Sequence, residues 1–312
     1  MAGEIDFTEC EKRHKKYEGA NGNKISIIYN GGLYMLKFPP VSKRNKAFSY
    51  KNDCVSEYIG CHILESLGIP VQQTLMGTYR VGDKEKIVVA CKDITSPDWQ
   101  LIPFAGLKNE TINTPTEGYN TELSEILSTF DEQNDFEPGK LKRFFWKTFI
   151  GDALIGNWDR HNGNWGFLYN QNTDQIKIAP LYDCGSSLYP SADEETMKLI
   201  LSDKNEFKIR IYERPYSAIK ENGGNINYFN FIFSLKNKEC NNALKELYPK
   251  ISIVKINQII DGTPYISETQ KQFYKAMVEG RKKLILQASY EKLLEIENQR
   301  NPESKVESGI EW

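Results

Sequence analysis

The period of the hydrophobic positions changes along the chain. Residues 24–29 (KISIIY) and 33–38 (LYMLKF) are short runs rich in β-branched and aromatic residues. Asn30-Gly31-Gly32 between them predicts a hairpin turn, because the glycines tolerate positive φ. Pro39-Pro40 ends the second strand. The period then lengthens. Val55, Tyr58, Ile59, Ile63 and Leu67 share one helical face, which predicts a helix over about 53–67. Asn52 or Asp53 suits its start and Gly68 its end. Residues 71–79 and 86–92 form another strand pair around Gly82-Asp83.

Composition shifts at 95–121, where Thr, Asn, Pro and Gly predict a linker or long loop. From about 139 the pattern is mostly helical. Leu141, Phe144, Phe145, Thr148, Phe149 and Asp152 recur at helical spacing. Residues 227–248 and 267–298 are two more helix candidates, the second interrupted near Gly280. Short strand-like runs stand at 165–169 and 175–178. The expected fold class is α+β. A small β-rich N-lobe (1–94) is followed by a hinge and linker (95–138) and a larger α-helical C-lobe (139–312).

Composition narrows the function classes. The 312 residues carry 40 Lys+Arg against 42 Asp+Glu, for a formal charge of -2. That balance argues against a general nucleic-acid coat, whose affinity comes from phosphate neutralisation. No apolar run is long enough to cross a membrane and no secretory h-region stands at the start, so the expected location is cytoplasmic. The three histidines (His14, His62, His161) are too dispersed for a poly-His metal site. The six cysteines form no C-x-x-C pair and read as reduced, structural thiols.

The stretch Gly156-Asn157-Trp158-Asp159-Arg160-His161-Asn162-Gly163-Asn164 carries most of the chemistry. An Asp followed five residues later by Asn, on a loop, suits phosphoryl transfer. Asp159 can take the proton of an attacking hydroxyl, and the Asn164 amide oxygen can ligate Mg²⁺. Asp183, in Pro180-Leu181-Tyr182-Asp183-Cys184-Gly185, supplies a second metal-holding loop. Taken singly, each segment reads as a polar turn before it reads as a site; together they offer the ligand types of one metal–phosphate centre.

The N-lobe offers three more parts, each with a plainer alternative. Gly19-Ala20-Asn21-Gly22-Asn23-Lys24 precedes a strand and could cover phosphates with backbone N–H groups, or be an ordinary turn. Lys37 is a phosphate-pairing lysine or a solvated strand-edge one, and Glu57 is its partner or a surface acid. Cys91 falls where a hinge beside a nucleotide would begin, or simply packs. Asp152, on an apolar stripe, needs a partner if buried, and Arg160 is the candidate. Lys12, Arg13, Lys15 and Lys16 read as a solvated basic run. The order of strand pair, Lys strand, Glu helix, strand pair, linker, helix, Asp/Asn loop and Asp-Gly loop is that of a protein-kinase-like fold.

Asn157, Asp159, His161 and Asn164 form N-x-D-x-H-x-x-N, which resembles the catalytic loop of the HipA-like toxin kinases. Pro-Leu-Tyr-Asp at 180–183 stands where a D-F-G element would. The resemblance runs from about Tyr17 to the C-terminal helices. It implies an Mg²⁺- and ATP-dependent serine/threonine kinase that autophosphorylates and acts on a protein hydroxyl. Asp159 would be the catalytic base, Asn164 and Asp183 metal ligands, and Lys37, held by Glu57, the group on the α/β-phosphates. His161 matches a family position, as a catalytic group or a loop-fixing one. The order Asp-Arg-His inverts the usual His-Arg-Asp, and Glu18–Lys24 lacks the serine that the longer toxin kinases carry there. Nothing resembles a helix-turn-helix antitoxin, and no nucleic-acid or membrane partner is expected. The resemblance raises export into another cell. A small-molecule or lipid kinase of the same fold, or an inactive kinase-like scaffold, are the alternatives.

Overall fold

The structure, a computed structural model, describes residues 4–17, 24–40, 52–112 and 115–300. In chain order the N-terminal part contains β1 (Glu11–Arg13), β2 (Lys24–Tyr29), β3 (Gly32–Lys37), α1 (Asp53–Ser66), β4 (Thr74–Val81) and β5 (Lys84–Lys92). These strands form one antiparallel sheet in the order β1-β2-β3-β5-β4. The first hairpin closes through Asn30 and Gly31, at φ 48° and 75°, with Tyr29 opposite Gly32. The left-handed pair is therefore Asn30-Gly31, and Gly32 already belongs to β3. Two consecutive positive φ values match the right-handed twist of the flanking strands.

A segment preceding β1 completes this lobe. Phe7 is fully buried and its N–H donates to Thr78 O at 2.9 Å. Gly77 makes room for it, since a Cβ there would lie 2.3 Å from Ile5 O and 2.5 Å from the Phe7 ring. The basic run only partly follows the solvated expectation. Lys15 pairs with Asp93 at 2.7 Å, beside a 2.7 Å hydrogen bond from the Tyr17 hydroxyl to the same carboxylate.

Helix α1 ends at Ser66, and Gly68, two residues on, takes φ 77°, the role expected for it at the helix end. Its N-terminus differs. The Asn52 side chain caps nothing; it donates to Ala192 O at 2.7 Å and accepts from Gln270 at 3.2 Å. These partners lie far down the chain, so local sequence could not reveal them. The apolar face of α1 joins the large C-terminal core: Leu64 stands close enough to Gly151 that a Cβ there would meet it at 2.6 Å.

The segment 95–138, expected as hinge and linker, is ordered structure over much of its length. It holds β6 (Trp99–Pro103), α2 (Phe104–Ile112) and α3 (Leu123–Glu132). Phe104, Leu107, Ile126 and Phe130 enter the core. Their polar neighbours masked this: Lys108, read as loop composition, is wholly buried and its ammonium meets Glu125 at 2.6 Å.

The C-terminal part continues with α4 (Pro138–Ile155), β7 (Gly166–Asn170), β8 (Gln175–Ile178), α5 (Glu194–Ser202), α6 (Lys204–Lys208), β9 (Tyr216–Glu221), β10 (Gly224–Asn227), α7 (Tyr228–Ser234), α8 (Lys238–Leu247), α9 (Ile253–Asp261), α10 (Glu268–Arg281) and α11 (Ala288–Arg300). Strands β6-β7-β8 form a small antiparallel sheet. The helix expected over 227–248 is broken at Leu235, which is left-handed at φ 58°. The expected interruption at Gly280 is absent. The helix runs through it and continues into α11 by a π-helical stretch at Lys282–Gln287. Gly280 instead lets Phe207 approach to 2.8 Å of where a Cβ would stand. A short backbone bridge joins the lobes: Gln72 N–H donates to Leu181 O at 2.7 Å and Leu181 N–H to Pro70 O at 2.9 Å. No described helix is long and apolar enough to cross a membrane.

Candidate active site

The site is assembled from four elements. Lys37 ends β3, and its neighbours across the sheet are Lys24 on β2 and Val89 on β5. Its ammonium lies 2.8 Å from Glu57 Oε2 and 2.9 Å from Asp183 Oδ1. Burial weakens the charged form of Lys37, but Asp183 and Glu57 more than offset it, and the pKa stands well above the ordinary value. The solvated alternative for Lys37 therefore fails, and so does the surface alternative for Glu57, which is 1% exposed. Glu57 Oε1 accepts the Cys184 N–H at 3.0 Å and faces the Cys61 thiol at 3.7 Å. One carboxylate thus ties β3, α1 and the Asp183 loop together.

Asp183 has φ 60° and a side chain 45% exposed. The Lys37 ammonium holds its carboxyl at about 2. Lys24 adds a second cation: its own pKa is lowered by burial and by Lys37, and its charge acts on Asp183. Gly19, Ala20, Asn21, Gly22 and Asn23 lie outside the described residues.

The Asp159 loop starts at the end of α4. Gly156 terminates that helix at φ 66°, and a Cβ there would sit 2.9 Å from the Arg281 guanidinium. Asn157 then accepts the Asp159 N–H through Oδ1 at 3.0 Å and donates to Asp152 at 3.0 Å. Arg160 turns inward. It meets Asp152 at 3.0 Å and donates to Asn164 O at 2.8 Å, to Tyr182 O, and to Cys184 Sγ at 3.3 Å. The pairing of Asp152 with Arg160 expected from sequence is present. Burial raises the Asp152 pKa, and Arg160 pulls against that rise.

These anchors hold the backbone of Asp159, whose side chain is partly buried. Burial raises its pKa, opposed by His161 and Arg160. The Asn164 amide nitrogen is committed to Asp159 O at 2.7 Å, so its Oδ1 is the atom left for a cation. Asn164 Oδ1 and an ionised Asp183 are hard oxygen donors, which fits Mg²⁺. His161 Nδ1 accepts the Gly163 N–H at 3.0 Å, which favours the loop-fixing role over direct catalysis. Cys91 is fully buried on β5 among Cys54 and Val89, close enough to Lys37 to feel its charge. It packs against Cys54 and Val89 near the end of β5.

Sequence reasoning missed two members. Asn162 is wholly buried and donates to Gly118 O and Asn120 O, each at 2.8 Å, which clamps the loop to the segment before α3. Ser186 donates to Asp159 Oδ2 at 3.5 Å. Neither had a signal, since both contacts join segments distant in the chain.

A lysine bridging a helical glutamate and a loop aspartate, above an Asp/Asn loop, defines a kinase-type fold and site. The HipA-like C-terminal domain model matches residues 18–252, and the chain belongs to that family. It is 48% identical over 294 residues to the serine/threonine-protein kinase CtkA of Helicobacter pylori (strain J99), covering 94% of this chain and 89% of the relative. A crystal structure of the Helicobacter pylori proinflammatory kinase CtkA matches with TM-score 0.89 and 47% identity, over 94% of this chain and 99% of that one. The Shewanella oneidensis HipA, solved with HipB and operator DNA, matches with TM-score 0.55 and 13% identity over 93% and 75% of the two chains, a likeness of fold alone. The expected α+β bilobal kinase fold and the family are both present.

Proposed function

We propose that the chain is an Mg²⁺- and ATP-dependent serine/threonine kinase of HipA-like type that transfers the γ-phosphate to a protein hydroxyl and phosphorylates itself. The observation that carries this is Lys37, placed 2.8 Å from Glu57 and 2.9 Å from Asp183 beside the Asp159 loop. A buried cation held between two carboxylates is ready to exchange one of them for phosphate oxygens. Lys24 stands next to it on the same sheet and adds positive charge on the same side. Asn164 and Asp183 would hold the metal, which supplies charge neutralisation on the phosphates when bound.

Asp159 orients the acceptor hydroxyl and accepts its proton. Burial raises its pKa, which makes it a better base than an ordinary carboxylate. Arg160 keeps the Asp159 and Asp183 loops in register, through Asn164 O and Tyr182 O. Tyr119, 53% exposed, borders Gly163 of the catalytic loop. The 48% identity to a serine/threonine-protein kinase supports a protein acceptor over a small molecule.

Asp159→Ala is expected to lose on the order of 10²–10⁴ in rate, and Asp183→Ala to lose productive Mg²⁺-ATP binding. Transfer from γ-labelled ATP to a generic acceptor protein, with wild type and both variants, measures this. Wild-type rates in both variants would refute the assignment, and wild-type protein with ATP bound but no transfer would favour the scaffold reading.

A further inference from the structure

Ser186 lies three residues beyond Asp183, in the loop that follows the metal-binding position. Its Oγ donates to Asp159 Oδ2 at 3.5 Å, and it is the one side-chain donor to that carboxylate given by the described residues. The length is that of a catalytic hydrogen bond in a protein without substrate, where such contacts run long and tighten later.

The serine is not free to wander. Its own carbonyl accepts the Trp158 N–H at 3.4 Å, one residue before Asp159. The next residues are pinned as well: Ser187 N–H and Oγ donate to Cys184 O at 3.2 and 2.7 Å, and Leu188 N–H to Ile155 O at 3.0 Å. Cys184 N–H is in turn held by Glu57. The hydroxyl is therefore carried by a fixed loop that is itself tied to α1 and to the end of α4.

The torsion that rotates a carboxylate about its Cβ–Cγ bond is soft and broad. Among the described residues Ser186 gives the one side-chain hydrogen bond that fixes the orientation of the Asp159 oxygens. We infer that Ser186 is a positioning residue for the proposed phosphoryl transfer: by engaging Oδ2 it leaves Oδ1 of Asp159 for the incoming hydroxyl. The inference rests on the kinase reading. The rival role, an acceptor that Asp159 would deprotonate, asks the serine to swing into line with a phosphate. The backbone bonds at Trp158, Cys184 and Ile155 oppose that movement.

The experiment compares wild type, Ser186→Ala, Ser186→Thr, Asp159→Ala and the Asp159→Ala/Ser186→Ala double variant in γ-labelled ATP transfer to a generic acceptor protein, with phosphosite mapping of the wild type. Loss of one hydrogen bond should lower kcat about 3–10-fold in Ser186→Ala, with the KM for ATP and the melting temperature little changed. Ser186→Thr, which keeps the hydroxyl, should recover most of it. In the Asp159→Ala background the serine change should cost less than about twofold, since the partner it positions is gone. Four results would overturn the inference: unchanged kcat in Ser186→Ala, no rescue by threonine, an additive double variant, or phosphate mapped to Ser186 itself. A wild type without any transfer refutes the kinase reading as well, and so separates the two failures.

Discussion

Arg160 shows how much one side chain can do in a catalytic loop. It is buried, pairs with Asp152 on α4, and spends its remaining donors on Asn164 O, Tyr182 O and Cys184 Sγ. Desolvating such a pair consumes much of what the attraction supplies, so its main product is geometry. Removing one partner is a different matter, because the other is left charged in the interior. Arg160→Met is expected to cost about 3–5 kcal/mol of unfolding free energy. Adding Asp152→Asn should recover part of the stability, because the stranded charge is gone, but not the transfer rate. Chemical denaturation of the single and double variants reads the first effect, and labelled transfer the second. The Asp152 half of this pair was legible in sequence, because a lone acid on an apolar stripe demands a partner. The carbonyls that Arg160 joins were not.

At the scale of elements, periodicity located strands and helices well and their neighbours poorly. The 95–138 segment looks like a linker in composition, yet Phe104, Leu107, Ile126 and Phe130 bury into the core from it. Its polar residues satisfy one another across gaps of a dozen residues or more, as Lys108 does with Asn120 O and Glu125. Gly280 looked like a break and is a contact; Gly77 carried no signal and makes one. The Gly77 case gives an element-scale prediction. An alanine Cβ would meet backbone, at Ile5 O, and so cannot be absorbed by a side-chain shift. Gly77→Ala is expected to dislodge the segment around Phe7 and to cost about 3–5 kcal/mol, the scale of losing a buried phenylalanine. Thermal melting tests the stability loss. Faster proteolysis near the N-terminus would show that this segment is the part released.

Over the whole molecule, the acids around Lys37 make stability depend on pH in opposite directions. Burial lifts the Asp53 carboxyl from 3.8 to about 7, so in that window the folded chain holds a proton that the unfolded chain has released. Its contribution therefore weakens stability as pH rises from about 4 to about 7. Asp183, held at about 2 by Lys37, does the reverse. Its contribution is complete above about 4 and fades as pH falls toward 2. Asp53→Asn cannot ionise, so its melting temperature should gain on wild type between pH 4 and pH 8. A constant difference across that range would show that Asp53 titrates normally in the folded protein.

The sequence by itself determined the order of the site-bearing elements and the chemistry on offer: a lysine strand, a glutamate helix, an Asp/Asn loop and a second acid. Those follow from short-range periodicity and from which side chains can hold phosphate, proton or cation. Only the tertiary structure decided where each of these side chains sits and what it touches. Lys37 is buried and doubly paired because β3, α1 and the Asp183 loop converge on it. His161 Nδ1 accepts from Gly163 within the loop, and Cys91 is buried with Cys54 and Val89. Ser186 meets Asp159, and Asn162 clamps its loop, across separations that no local pattern records. Chain entropy makes such long-range contacts costly to form one at a time, and only the packed core of both lobes brings them together.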